Sequence, residues 1–148
     1  MFFVRVVGID LGERRIGLAV SDPTATLARP LRVIERSGSD AAAVGLVVAA
    51  IDALNDEDPV GCVVVGLPAR LDGTPNEQTV RARTMIDLLS GRLKVPVMVQ
   101  DERLSSHEAD QRLAERERDW RKRKAKLDAA AAAVILQDYL DLQRPERD

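Results

Sequence analysis

Three acidic residues stand at positions that suit the hydrolysis of phosphodiester bonds. Asp10 ends the first apolar stretch of the chain, and Asp101 and Glu102 together end the last one. In an α/β sheet, ligands gather beyond the carboxyl ends of the parallel strands, so Asp10 and Glu102 can meet there. Asp128 precedes five consecutive alanines, 129–133, whose small side chains would let a helix lie close to the sheet and bring Asp128 to the same edge.

Carboxylates that converge need a counter-charge, because their mutual repulsion opposes ionisation. A set of carboxylate oxygens without histidine or cysteine suits Mg²⁺ or Mn²⁺. Two such ions are expected, since one can activate a water and the other can stabilise the leaving oxygen of an in-line displacement at phosphorus. The pattern alone leaves a plainer interpretation open, in which Asp10 forms a turn and Glu102 is a solvated charge.

The order of apolar runs and turn residues predicts a mixed α/β domain with the element order β-β-β-α-β-α-β-α-α. Strands are predicted at 2–9, 16–21, 31–35, 61–66 and 95–100. Short links join the first three strands, which are expected to form an antiparallel meander. The last two strands alternate with helices, so they are expected to run parallel to the first through right-handed crossovers.

Helices are predicted from apolar residues at helical spacing and from capping residues. The first covers 39–54, with Ser39 or Asp40 as its N-cap, and the second begins at the capping box of residues 74–77. A third begins near Ser105, and the last includes residues 127–142. The buried stripe predicted for the second helix comprises Ala82, Met85, Ile86, Leu89 and Leu93.

The composition is that of one globular domain with an aliphatic core. The chain has 148 residues, of which 45% are hydrophobic and only 3% are aromatic. The single cysteine, Cys62, lies in an apolar run, so we expect a buried thiol in a reducing compartment, with an intermolecular disulfide as the alternative. The N-terminus lacks the basic region and the length of a signal or a membrane span, so we expect a cytoplasmic protein without a membrane partner.

Charge is distributed unevenly along the chain. The net charge is −2, yet residues 116–126 carry a net charge of +5 and the remainder −7. A basic segment directly before Asp128 can hold a polyanion over the acids, although a solvated charged face is the alternative. Trp120 within this segment suits stacking on a base, or else anchors the helix by packing. The predicted nucleic-acid contacts are Arg14, Arg15, Arg70, Arg103, Arg116, Arg118, Trp120, Arg121, Lys122, Arg123, Lys124 and Lys126.

Four segments occur in a fixed order over almost the whole chain: GIDLGERRIGLAVSD, VVVGLPARLDG, DERLSSHEA and KLDAAAAAVILQDYL. Together they resemble the YqgF/RuvX family of ribonuclease H-like nucleases. The resemblance implies a five-stranded mixed sheet of order 3-2-1-4-5, with strand 2 antiparallel, flanked by helices. It also implies that Asp10, Glu102 and Asp128 are the catalytic and metal-binding residues. The family's usual Thr or Lys after GIDxG is replaced here by Glu13-Arg14.

The function implied by the resemblance is that of a metal-dependent nuclease that processes the 5′ end of pre-16S ribosomal RNA. Holliday junction resolution in branched DNA is one alternative, and a nucleic-acid-binding module without catalysis is another. An actin- or Hsp70-like ATPase has a similar first phosphate loop but needs two such domains, so the length excludes it and we expect no nucleotide cofactor. Residues 1–143 are expected to form one nuclease domain and 144–148 a disordered tail; a monomer and a homodimer both remain open.

Overall fold

A five-stranded sheet lies at the centre of the computed structural model. The structure describes residues 4–67, 77–101 and 120–143, with the backbone alone for Gln78, Asp101 and residues 120–128. The strands are β1 (Arg5–Leu11), β2 (Arg15–Ser21), β3 (Ala28–Glu35), β4 (Val60–Leu67) and β5 (Val97–Asp101). The helices are α1 (Asp40–Glu57), α2 (Glu77–Arg92) and α3 (Trp120–Gln143). The start of the capping box, the helix predicted near Ser105 and the predicted tail 144–148 lie outside the described residues.

The strand order β3-β2-β1-β4-β5 confirms the predicted sheet. β2 runs antiparallel to β1 and to β3, whereas β4 runs parallel to β1 and to β5. The meander of three short-linked strands therefore forms one half of the sheet, and the strands that alternate with helices form the other. β1 lies in the middle, so its carboxyl end is flanked by structure on both sides.

Several strand ends differ from the prediction, two of them near a proline. β3 begins at Ala28 rather than at residue 31 and includes Pro30, because an edge strand tolerates a residue that lacks an N–H. β5 begins at Val97 rather than at residue 95, directly after Pro96. At the other end of the sheet, β1 continues to Leu11, so Asp10 is its penultimate residue and not its last.

Apolar side chains form two cores on opposite faces of the sheet, because successive residues of a strand point to opposite sides. On one face, Val7 and Ile9 of β1 pack with α1 and α2. On the other face, Val6 and Val64 pack with α3. The stripe predicted for α2 is confirmed: Ala82, Met85, Ile86 and Leu89 are buried, and Leu93 is partly buried against the same core.

Both ends of α1 are held by polar contacts. The Ser39 hydroxyl accepts a hydrogen bond from the Ala42 N–H at 3.2 Å, which confirms Ser39 as the N-cap. At the other end, the buried guanidinium of Arg5 donates to the carbonyls of Leu54 at 2.6 Å and Asp58 at 3.0 Å. The Leu54 carbonyl also accepts from the N–H of Asp58, the C-cap, so Arg5 adds a side-chain donor at this helix end and ties α1 to the start of β1.

The link between β2 and β3 is ordered by one carboxylate. Asp22 accepts hydrogen bonds from the N–H groups of Thr26 at 2.8 Å and Leu27 at 2.9 Å, and also from the hydroxyl of Thr24. These bonds, above all the one from Leu27, lower the pKa of Asp22 from 3.8 to about 2. The charged carboxylate thus fixes the chain just before it enters β3.

Helix α3 lies unusually close to β1 at Gly8. A Cβ atom added to Gly8 would stand 2.7 Å from the Cβ atom of Leu136 and 2.9 Å from the carbonyl oxygen of Ala132. Distances this short require a shift of the helix backbone or of the strand, so only glycine fits here. The alanines of α3 and Gly8 of β1 together produce the close contact that the sequence predicts.

Replacement of Gly8 by alanine should therefore destabilise the protein. Gly8→Ala is expected to lower the free energy of unfolding by about 1–3 kcal/mol, the usual cost of an added methyl group in a tightly packed core. Gly91→Ala is the matched control, because Gly91 lies in α2 with no atom within 4 Å of an added Cβ. It should be neutral or stabilising by up to about 1 kcal/mol. Urea unfolding of both variants checks this, and equal stability of the two would contradict the packing described here.

Candidate active site

Asp10 is the acidic residue whose side chain the structure places at the carboxyl end of the central strand. It is half-buried, and it pairs in register with Gly17 of β2 and Gly66 of β4. Asp10 is two positions after Gly8 in the strand, so its side chain lies on the same face of the sheet as α3. A glycine on either side leaves the space around this carboxylate free of neighbouring β-strand side chains.

The direction of α3 brings the backbone of Asp128 toward this position. Near the end of α3, Tyr139 hydrogen-bonds to Cys62, which is the register partner of Val6 at the start of β1. Earlier in α3, Leu136 and Ala132 lie against Gly8. The helix therefore runs opposite to β1, and its residues before Ala132 approach the carboxyl end of the strand.

The spacing along helix and strand matches. Asp128 precedes Ala132 by about one turn, or about 6 Å of helix rise. Asp10 follows Gly8 by two strand residues, or about 6.6 Å. The backbone of Asp128 is therefore about level with Asp10 on the α3 face of the sheet.

The end of β5 lies on the same edge of the sheet. Asp10, Gly66 and Gln100 are register partners across β1, β4 and β5, so β1 and β5 are about 10 Å apart here. Asp101 ends β5 one residue further along. Glu102 follows it in the chain but lies outside the described residues, so its place among the three acids stays a prediction.

The turn after Asp10 is held by an arginine that the sequence analysis did not single out. The guanidinium of Arg36 donates to the Gly12 carbonyl at 2.9 Å, and the Arg36 N–H donates to the Arg14 carbonyl at 2.8 Å. Asp40 in the first turn of α1 accepts from the same guanidinium at 2.7 Å. The sequence shows only that Arg36 is a basic residue just past the end of β3. Nothing in a single sequence indicates that it contacts the turn after Asp10.

Gly12 contributes to the shape of this turn. A Cβ atom on Gly12 would stand 2.5 Å from the carbonyl oxygen of Arg15, and the Gly12 N–H donates to that same oxygen at 2.9 Å. The glycines on either side of Asp10 are therefore both explained by close packing, at a helix for Gly8 and within the turn for Gly12.

A cleft of about 300 Å³ adjoins the turn on the face covered by α1 and α2. Its floor is apolar, with Leu11, Ala82 and Met85, and its rim is charged. Arg81 on the rim lies 3.8 Å from Glu13 and from Glu77. Glu13, where the chain departs from the family pattern, thus pairs with an arginine of α2. Around the cleft, the acids Glu13 and Asp40 balance the charge of Arg36 and Arg81.

The predicted nucleic-acid contacts are only partly within the described residues. Arg14 is exposed in the β1–β2 turn and Arg15 is half-buried at the start of β2. Trp120, Arg121, Lys122, Arg123, Lys124 and Lys126 belong to the first two turns of α3, which begins seven residues before the helical segment recognised in the sequence. Arg70, Arg103, Arg116 and Arg118 lie outside the described residues.

Cys62 is half-buried against the α3 core rather than displayed on the surface. Burial raises the pKa of its thiol, an effect that the hydrogen bond with Tyr139 opposes. Burial likewise raises the pKa of the Tyr139 hydroxyl. A thiol held protonated in this way is a weak nucleophile, which favours the interpretation of Cys62 as a packing residue.

Within residues 4–67, 77–101 and 120–143, no three acidic, histidine or cysteine side chains are grouped as metal ligands. Of the three predicted ligands, Asp10 alone has a described side chain. None of the described helices is both long and apolar enough to cross a membrane.

Solved structures with the same architecture identify the class of fold. RuvC of Thermus thermophilus, in a complex with a Holliday junction substrate, aligns with 95% of this chain and 96% of its own at a TM-score of 0.53 and 20% identity. The yeast mitochondrial Holliday junction resolvase Ydc2 aligns with 93% of this chain and 78% of its own at a TM-score of 0.52 and 13% identity. The chain therefore has the ribonuclease H-like fold that it shares with these two proteins.

Sequence comparison identifies the family within this class. The profile of the RuvX family, described as Holliday junction resolvase, matches residues 4–142. A relative from Anaeromyxobacter sp. (strain Fw109-5) is 42% identical over 93% of this chain and 97% of its own length. Another, from Pelotomaculum thermopropionicum, is 38% identical over 98% of this chain and 92% of its own. Both are provisionally named pre-16S rRNA nuclease. The chain belongs to the RuvX family, as its four motifs predicted.

Loss of the Arg36 contacts should loosen the turn beside Asp10. Arg36→Met is expected to lower the free energy of unfolding by about 1–3 kcal/mol, because it leaves the Gly12 carbonyl without its donor. Asp40→Asn is the control: it removes only the ion pair with a half-exposed carboxylate and should cost less than about 1 kcal/mol. Urea unfolding distinguishes the two variants. An equal loss of unfolding free energy in both would mean that the ion pair with Asp40, and not the bond to the Gly12 carbonyl, stabilises the protein.

Proposed function

We propose that this protein is a metal-dependent nuclease that hydrolyses phosphodiester bonds in structured nucleic acid, with the 5′ end of pre-16S rRNA as its substrate. The observation that carries the proposal is the similarity to relatives of that name at 38–42% identity over nearly the whole chain. The position of Asp10 supports it, because a carboxylate at the carboxyl end of the central strand lies where α/β sheets bind their ligands.

The proposed catalytic and metal-binding residues are Asp10, Glu102 and Asp128. The half-buried Asp10 carboxylate and the direction of α3 support the pairing of Asp10 with Asp128. Oxygen ligands of this kind fit Mg²⁺ or Mn²⁺, and two ions are the arrangement proposed. Bound there, the ions supply Lewis-acid activation of water and stabilisation of the leaving oxygen.

The chain's own residues hold the substrate and fix the turn beside the acids. The basic residues of 116–126 directly precede Asp128 in the chain, so phosphate groups bound by them would lie near the acids. Arg36 holds the turn that follows Asp10 through the Gly12 and Arg14 carbonyls. We place the enzyme in the cytoplasm, with residues 1–143 as one catalytic domain.

Resolution of Holliday junctions is the second candidate, and the description of the family profile favours it. The likeness to RuvC and Ydc2 supports the fold alone, since both are at most 20% identical. The two functions differ in what they require: a resolvase cuts two strands of a junction and needs a dimer, whereas a trimming enzyme can act as a monomer. Substrate preference and oligomeric state measured together therefore decide between them.

Replacement of Asp10 by asparagine should abolish cleavage without unfolding the protein. Asp10→Asn is expected to reduce the cleavage rate at least about 100-fold, since removal of a charged metal ligand costs several kcal/mol of transition-state stabilisation. The assay uses a precursor-rRNA fragment and a four-way DNA junction with Mn²⁺ or Mg²⁺, and circular dichroism confirms the fold.

Asp52→Asn serves as the control, because Asp52 is exposed on α1 and carries the same chemical change away from the site. It should cleave at the wild-type rate. Preference for the RNA fragment supports the processing enzyme, and symmetrical cutting of the junction supports the resolvase. Full activity in Asp10→Asn would overturn the assignment of the site.

A further inference from the structure

Two exposed arginines of the edge strand β3 share one face because of a β-bulge. Arg29 and Arg32 are three residues apart and would point to opposite sides of a regular strand. The register between β2 and β3 shifts, however, so that Arg32 pairs with Leu18 and Arg29 pairs with Val20. Leu18 and Val20 both face the core beneath α1, so both arginines stand on that side of the sheet edge. Bulges at sheet edges commonly redirect a side chain in this way.

A third exposed arginine continues the same line. Arg14 lies in the turn just before β2, and its carbonyl accepts a hydrogen bond from the Arg36 N–H where the ladder between β2 and β3 ends. It therefore extends the line of Arg29 and Arg32 toward the carboxyl end of β1. From the level of Val20 to Arg14 the line covers six residue steps, or about 20 Å. We call Arg14, Arg29 and Arg32 the arginine strip.

The arginine strip has one exposed acid next to it in the chain, Glu13, which is already paired with Arg81. None of its three side chains makes an ion pair or a hydrogen bond with the part of the chain that the structure describes. Glu35, the one acid of β3, pairs in register with Arg15 and is one residue out of phase with Ile34, so it lies on the other face. The protein as a whole has a net charge of −2, so the strip is a local positive surface on an acidic molecule.

We propose that the arginine strip binds the phosphate backbone of a duplex arm that extends away from the cleaved bond. The proposal rests on the proposed nuclease function and specifies its substrate as one with a paired arm beside the cut. Arg14 lies in the turn that follows Asp10, so the strip begins at the end of the sheet that carries Asp10 and leads away from it along β3. The strip lies on the face opposite to the Asp10 side chain, so the arm would pass around this turn from the cleaved bond to the strip. The strip's length of about 20 Å corresponds to about six base pairs, and guanidinium groups are well suited to phosphate oxygens.

A plainer role for charge on an edge strand is protection against pairing with another sheet. Pro30 and the charged side chains of β3 serve that role. Bulges can also protect an edge, but protection works with charge of either sign and on either face, so it does not account for two like charges brought to one side. The two roles also predict different measurements, because protection affects aggregation whereas phosphate binding affects affinity and its dependence on salt.

The test compares two double variants that remove the same charge. Arg29→Gln/Arg32→Gln removes two members of the strip, and Arg83→Gln/Lys94→Gln removes two exposed basic residues on and after α2. Each protein is titrated into labelled RNA and DNA duplexes of about 24 base pairs in EDTA over a range of salt, so that binding is measured without cleavage. The strip variant should bind about tenfold more weakly at low salt, with a slope of log K against log salt reduced by about 1.8.

The control variant should change the affinity less than about twofold, and Arg29→Lys/Arg32→Lys should keep the slope. Equal affinities and slopes for the strip and control variants would overturn the proposal.

Failure of the duplex-binding proposal is distinguishable from failure of the proposed nuclease function. If the wild type does not cleave but the strip variant loses duplex binding, the strip stands and the nuclease does not. If the wild type cleaves and the two double variants bind alike, the nuclease stands and the strip does not. The RNA and DNA titrations show which duplex the strip prefers.

Discussion

The close contact between α3 and β1 at Gly8 is the constraint on which the candidate site depends. A helix packed on a sheet with ordinary side chains between them would hold its backbone further away. Here glycine in the strand and alanines in the helix remove those side chains, and the Ala132 carbonyl comes within 2.9 Å of where a Cβ atom would stand. The same contact fixes the position of α3 along β1, and it therefore sets how near Asp128 can come to Asp10. Packing and chemistry are thus linked through residues that carry no functional group.

A second constraint acts on the other side of Asp10. In the turn that follows it, the Gly12 N–H donates to the Arg15 carbonyl, and Arg36, in the link between β3 and α1, donates to the Gly12 carbonyl. Asp10 is thereby held at the end of the buried central strand, next to a turn that has several backbone contacts. Such rigidity suits the role proposed for Asp10, because a metal ligand must keep its position when the ion is absent.

Much of the fold could be predicted from sequence because local patterns and topology agree. Continuous apolar runs marked the buried strands, short links marked the meander, and Ser39 marked the start of α1. Errors occurred where tertiary context overrides a local signal: Pro30 lies within β3 because the strand is at an edge, and β1 extends past Asp10 because Leu11 still pairs with Ile16. The acids were found from their positions next to apolar runs. Arg14 was among the predicted nucleic-acid contacts, but Arg29, Arg32 and Arg36 were missed. A contact between a side chain and a distant turn, or a bulge that changes the direction of one residue, has no periodic signature.

The central claim is that Asp10, Glu102 and Asp128 hold a divalent cation at one edge of the sheet. The most direct measurement is Mn²⁺ binding by electron paramagnetic resonance, compared between the wild type and Asp128→Asn, the substitution at the acid that α3 carries. The account predicts that the wild type binds Mn²⁺ and that the variant binds it at least about tenfold more weakly. Equal Mn²⁺ affinity in the two proteins would show that α3 does not deliver a ligand to the site, and would contradict the account.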